Sequence, residues 1–157
     1  MAGTTINLNN FGQQNGAGTL QQMPNQSVYN VKFNPNSSTA SLKPCDPVKL
    51  VAGASDIPLV DYAGTADDLV YGFVIYSRKN ANPAKGEIIE IASDDCVMYM
   101  TAGGAIARGE YVTADANQTV VKTTTATDVM GICIDTASAS GDLVRVLIKN
   151  MGFATHA

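Results

Sequence analysis

Histidines, thiols and close-set acids carry most side-chain chemistry, and this chain arranges them in ways that fit little of it. Its one histidine, His156, is the penultimate residue. A nucleophilic triad or a histidine-based metal site would have to be built on that ring alone. Cys45, Cys96 and Cys133 are far apart and form no C-x-x-C pair, which excludes the usual zinc and dithiol motifs. Cys96 and Cys133 sit inside apolar runs, where cysteine acts as a small buried hydrophobe. Three reduced thiols and synthesis in a cytosol are the expectation.

The acids are as uninformative. Asp67-Asp68, Asp94-Asp95, Asp56 and Asp61 could offer oxygens to a hard cation, but no D-x-D-x-D-G ladder orders them. Acidic residues between strands serve turns equally well. Glu87 and Glu90 are an odd number of residues apart and point to opposite faces of a strand, so their spacing gives no local reason to pair them as acid and base. The run Gly12-x-x-x-Gly16-x-Gly18 lacks the following lysine of a phosphate loop. These observations predict no catalytic residues, no cofactor and no metal site.

The elements around these residues divide in two. Residues 1–41 contain one charged side chain, Lys32, whereas all 14 acidic residues begin at Asp46. An extended arm over residues 1–45 and a body over 46–157 follow from that shift. The arm has few large apolar groups, too few to offset the backbone entropy lost on ordering it alone, so it is expected to order against a surface. Phe11, Met23, Tyr29, Val31 and Phe33 are its candidate anchors for binding. Tyr29, Val31 and Phe33 alternate along Ser27–Phe33 and would share one face of a strand, able to join a foreign sheet edge or to begin the body.

The body reads as short strands separated by turn residues: Val48–Val51, Val70–Tyr76, Glu87–Ile91, Cys96–Thr101, Glu110–Thr113, Thr119–Lys122, Val129–Ile134 and Leu143–Lys149. A loop is expected around Asp56, Pro58 and Asp61, and at most one helical turn near Ala63–Asp68. No helical apolar stripe and no 20–50-residue repeat is visible. The fold class is therefore all-β: a small barrel- or sandwich-like body of short antiparallel strands with an extended N-terminal arm. A net charge of −4 with scattered Lys and Arg argues against direct nucleic-acid contact. No apolar run approaches the length needed to span a bilayer, and Met1–Thr5 has no basic or apolar export region, so no membrane role is expected.

One progression in the second half is familiar. Val70-Tyr71-Gly72-Phe73-Val74 leads to Gly86-Glu87-Ile88-Ile89-Glu90-Ile91-Ala92. Thr101-Ala102-Gly103-Gly104-Ala105-Ile106-Ala107-Arg108-Gly109-Glu110-Tyr111-Val112 follows, and Gly131-Ile132-Cys133-Ile134-Asp135 runs on to Gly141-Asp142-Leu143-Val144-Arg145-Val146-Leu147-Ile148. Over about residues 70–149 it resembles the capsid decoration, or cement, proteins of tailed bacteriophages. The resemblance implies a non-enzymatic structural virion protein on the outer capsid surface. It implies a homotrimer that bridges neighbouring copies of the major capsid protein and stabilises the shell. The alternative is a host-recognition or carbohydrate-binding β module of a phage tail fibre or spike, which the absence of tryptophan disfavours.

Overall fold

A computed structural model of the chain describes residues 17–18, 28–35, 42–64, 68–75, 83–115, 119–125 and 129–149. They form strands and turns, with no helix among the described residues. The strands are β1 (Val28–Phe33), β2 (Pro47–Leu50), β3 (Leu59–Tyr62), β4 (Gly72–Val74), β5 (Ile88–Ala92), β6 (Val97–Ala102), β7 (Tyr111–Ala114), β8 (Thr119–Lys122), β9 (Gly131–Cys133) and β10 (Leu143–Ile148).

These strands close two small barrels in place of a single body. The first runs β1-β3-β2-β4-β5 and the second β10-β6-β8-β7-β9. In the first, β1 lies parallel to β3 and antiparallel to β5; every other pairing is antiparallel. In the second, β6 lies parallel to β8 and antiparallel to β10, and the rest are again antiparallel. Strand for strand the circuit is the same, with β1 to β5 matching β6 to β10.

The duplication extends to single hydrogen bonds. Cys45 N donates to Val74 O at 2.9 Å, and Gly109 N to Cys133 O at 2.8 Å. Phe33 N donates to Glu87 O at 2.9 Å, and Ala102 N to Asp142 O at 2.8 Å. Ala63 N reaches Pro47 O at 3.0 Å, and Thr123 N reaches Tyr111 O at 2.9 Å. Gly72 and Gly131 share a close approach: a β-carbon on either would lie 2.6 Å from a carbonyl oxygen, of Ala92 or Leu147, so only glycine fits.

One turn device enters both β2 and β7. Its third residue has positive φ, Cys45 (73°) in the first barrel and Gly109 (85°) in the second. Its fourth residue is an acid whose carboxylate accepts the N–H of the first, Asp46 from Lys43 and Glu110 from Ala107, each at 2.7 Å. The same closure precedes β5 at Ala84–Glu87 and β10 at Ala139–Asp142. Glu87, one of the acids that looked available for chemistry, is thus committed to folding a turn, as are Asp46, Glu110 and Asp142.

Val31, Phe33, Leu42, Val48, Val60, Val74, Ile89 and Ile91 fill the first barrel. The arm delimited by composition therefore contains a barrel strand: Val31 and Phe33 point inward and are completely buried. Pairing with β5 along Val28–Lys32 supplies the backbone partners that the segment lacks in isolation. β3 occupies part of the stretch expected to be loop. Its Asp61 is buried and accepts the N–H of Tyr62 at 2.7 Å, so a residue that reads as a turn signal sits inside a strand. Ala63, Gly64 and Asp68, where at most one helical turn is expected, are not helical, and residues 65–67 lie outside the described residues.

Candidate functional site

The groups with chemical potential are dispersed. Asp68 pairs with Lys49 at 2.6 Å, Asp95 with Lys149, and Asp135 with Arg145 at 2.6 Å. The last pair is bidentate and also takes the Arg145 N–H at 3.0 Å, which holds the Asp135 carboxyl below its ordinary range. Glu87 closes a turn and Glu90 is exposed on β5. Asp67 and His156 lie outside the described residues. Among the described residues no three His, Cys, Asp or Glu side chains gather as metal ligands. A groove of 390 Å³ is lined by Gly104, Ala105, Ile106, Val121 and Lys122, with one ionisable side chain.

Cys45, Cys96 and Cys133 are buried and unbridged. Burial, then the neighbouring Asp46 charge, pushes the Cys45 thiol up to about 12, and burial also raises Cys133. Thiols held this far from ionising are poor nucleophiles.

What the fold does build is a joint between the barrels. Cys45, Ala63, Val70, Phe73 and Ala92 come from the first barrel, yet they belong to the apolar cluster of the second, with Cys96, Met98 and Met100. Cys45 Sγ reaches the Tyr99 carbonyl at 3.7 Å, and Gly18 N donates to that oxygen at 2.7 Å. Ala17, beside Gly18, packs on the same cluster, so a piece of the arm is seated where the barrels meet.

Asp46 lies at the joint, 5% exposed. Burial raises its carboxyl from an ordinary 3.8 to about 6, against the opposing pull of the Lys43 N–H and charge. A carboxyl raised by folding stabilises the native state below its unfolded pKa, and that contribution is lost as pH climbs through the folded value. At roughly 1.4 kcal/mol per pH unit the full effect is about 3 kcal/mol. Asp46→Asn keeps an acceptor for Lys43 and removes the titration. Denaturant unfolding at about pH 3.5 and about pH 7 should show the variant gaining on the parent at the higher pH, with most of the gain built between about 4 and 6. Parallel stability curves would contradict the assignment.

Among the described residues, the large apolar side chains left exposed are Val28, Tyr29, Leu50, Leu69, Ile88, Tyr111 and Leu143. Six of these seven stand on strands: Val28 and Tyr29 on β1, Leu50 at the end of β2, Tyr111 at the start of β7, and Ile88 and Leu143 at the matching starts of β5 and β10. Of the arm residues singled out from sequence, Tyr29 is exposed and stacks loosely on Tyr71, with ring centroids 6.1 Å apart. Val31 and Phe33 are buried in the first barrel, and Phe11 and Met23 lie outside the described residues. Sequence reasoning passed over Tyr111, Ile88 and Leu143; their signal is that each follows the carboxylate-closed turn and faces outward.

This architecture has known counterparts. The chain is similar to the N base of the head fiber protein gp8.5 of bacteriophage phi29, at 17% identity and a TM-score of 0.55, over 82% of this chain and 98% of that one. At that identity the likeness establishes the fold. No curated protein matches the sequence. The family described as phage cement protein matches residues 46–148, which span β2 through β10. The chain thus belongs to the phage cement protein family and is a structural virion protein that decorates the capsid.

Proposed function

We infer that the protein binds the outer surface of a phage head as a homotrimer, bridges neighbouring major capsid subunits and stabilises the shell without catalysing a reaction. The observation that carries this reading is the family match across nine of the ten strands, β2 through β10. A body of two closed barrels with few free sheet edges supports it, since such a body presents a rigid, folded face to a partner. The turn acids are spent on folding, which accords with a protein that works by covering surface. Phe11, Met23 and Tyr29 remain the arm residues to grip a surface, with Val31 and Phe33 as the buried root that anchors the arm to its barrel.

A ligand that binds only the assembled shell stabilises it by mass action, by about 2.7 kcal/mol per site at a hundredfold excess over Kd. DNA release from heated heads is the test. Heads incubated with the protein should release DNA at a higher temperature than bare heads. Equal release temperatures at saturating occupancy would overturn the stabilising role.

A further inference from the structure

The duplication gives every surface of one barrel a counterpart on the other, so covered and uncovered counterparts can be compared. Phe33 and Ala102 hold the same register against β3 and β8. Counting back along each strand, Val28, Tyr29 and Asn30 of β1 stand where Val97, Met98 and Tyr99 stand on β6. Val97 and Met98 are 2% and 0% exposed; Val28 and Tyr29 are 39% and 45% exposed. The difference has a visible cause. The first barrel meets β6 here: Cys45, Phe73 and Ala92 share an apolar cluster with Met98, and Cys45 Sγ lies on the Tyr99 carbonyl.

The other side of the joint shows the converse. Cys45, Phe73 and Ala92 of the first barrel are buried in the cluster of the second, and Pro47, paired with Phe73, is buried too. Their counterparts are Gly109, Tyr111, Ile132 and Leu147. Gly109 and Tyr111 are exposed, Tyr111 by 48%, and Ile132 and Leu147 are half-buried. The chain therefore contains this joint once in completed form and carries each of its two halves uncovered, one on each barrel.

We propose that a second copy of this chain completes it: the Gly109, Tyr111, Ile132 and Leu147 face of one protomer docks on the β1 edge, Val28–Asn30, of the next. The occupant is a second copy because the chain already makes the same contact with itself, between backbone frames whose hydrogen bonds correspond one to one. The contact is head-to-tail, so successive copies either close a ring or run on as a filament. This inference rests on the trimeric reading above, and it supplies the interface by which three copies close.

Cysteine trapping in the free protein, without heads, tests it. Asn30 and Gly109 are the counterparts of Tyr99 and Cys45, and Cys45 Sγ lies 3.7 Å from the Tyr99 carbonyl oxygen. Cys45 at φ 73° shows that this turn accepts a cysteine. Under mild oxidation, Asn30→Cys mixed with Gly109→Cys should give a disulfide-linked dimer, neither variant alone should cross-link, and the double variant should give a covalent trimer. Tyr111→Asp, at an exposed site, should keep the unfolding transition and drop the light-scattering mass to a monomer. Failure of the mixture to cross-link, or cross-linking of Asn30→Cys with itself, would overturn the head-to-tail interface. Since no heads are present, that failure would leave capsid decoration standing, and loss of decoration would leave the interface standing.

Discussion

A protein lacking residues 2–41 is expected to lose the cooperative unfolding of its first barrel, whereas one lacking residues 2–26 keeps it. The first cut removes β1 and with it five paired positions along β5 and two along β3, together with Val31 and Phe33 from the core. Phe33 alone is worth about 3–5 kcal/mol when truncated to alanine at a fully buried site. Total domain stability is on the order of 5–15 kcal/mol, so losing both core residues and the ladder exceeds what the first barrel can spare. The second cut leaves β1 whole. It removes the Gly18 N–H bond to Tyr99 and the Ala17 contact, a loss of about 0.5–1.5 kcal/mol for the hydrogen bond. Amide exchange on Ile89 and Ile91 reads the difference: protection lost in the longer truncation and kept in the shorter. Equal protection in both would mean that β1 does not hold the barrel.

The shorter truncation also isolates what the arm does on a head. With the body folded and Phe11 and Met23 gone, affinity for undecorated heads should fall by roughly tenfold or more, since one apolar anchor contributes about 2 kcal/mol when it is a hot spot. Full-length Phe11→Ala and Met23→Ala proteins should each reproduce part of that loss with unchanged unfolding midpoints. Co-sedimentation with heads across a concentration series measures it. Binding by the truncated protein at parental affinity would assign attachment to the barrels alone.

Much of this architecture is legible in the residues, and the parts that are not have physical reasons. Alternation marks β1, β6 and β10 because each presents one face to a core and one to solvent. β3 is hidden because Asp61 and the preceding Pro58 read as turn signals, whereas the strand buries the carboxyl and binds it to the Tyr62 N–H. The duplication leaves no fixed period. The spacing between matched residues shrinks at each loop, from Phe33 and Ala102 in the first strands to Ala92 and Leu147 in the last. What repeats is backbone hydrogen bonding, two close-approach glycines and the carboxylate-closed turns, while the core side chains differ freely so long as they are apolar. Val31 and Phe33 show the same limit at the site. Their alternation correctly indicates a buried face, but a strand pattern does not state whether the surface it meets belongs to its own chain.

The most direct test of the account is to mix the purified full-length protein with phage heads that lack it and image them by cryo-electron microscopy. Added density is expected at regular sites on the outer capsid surface, resolving into pairs of small β barrels. Heads with a bare outer surface at saturating protein would contradict it.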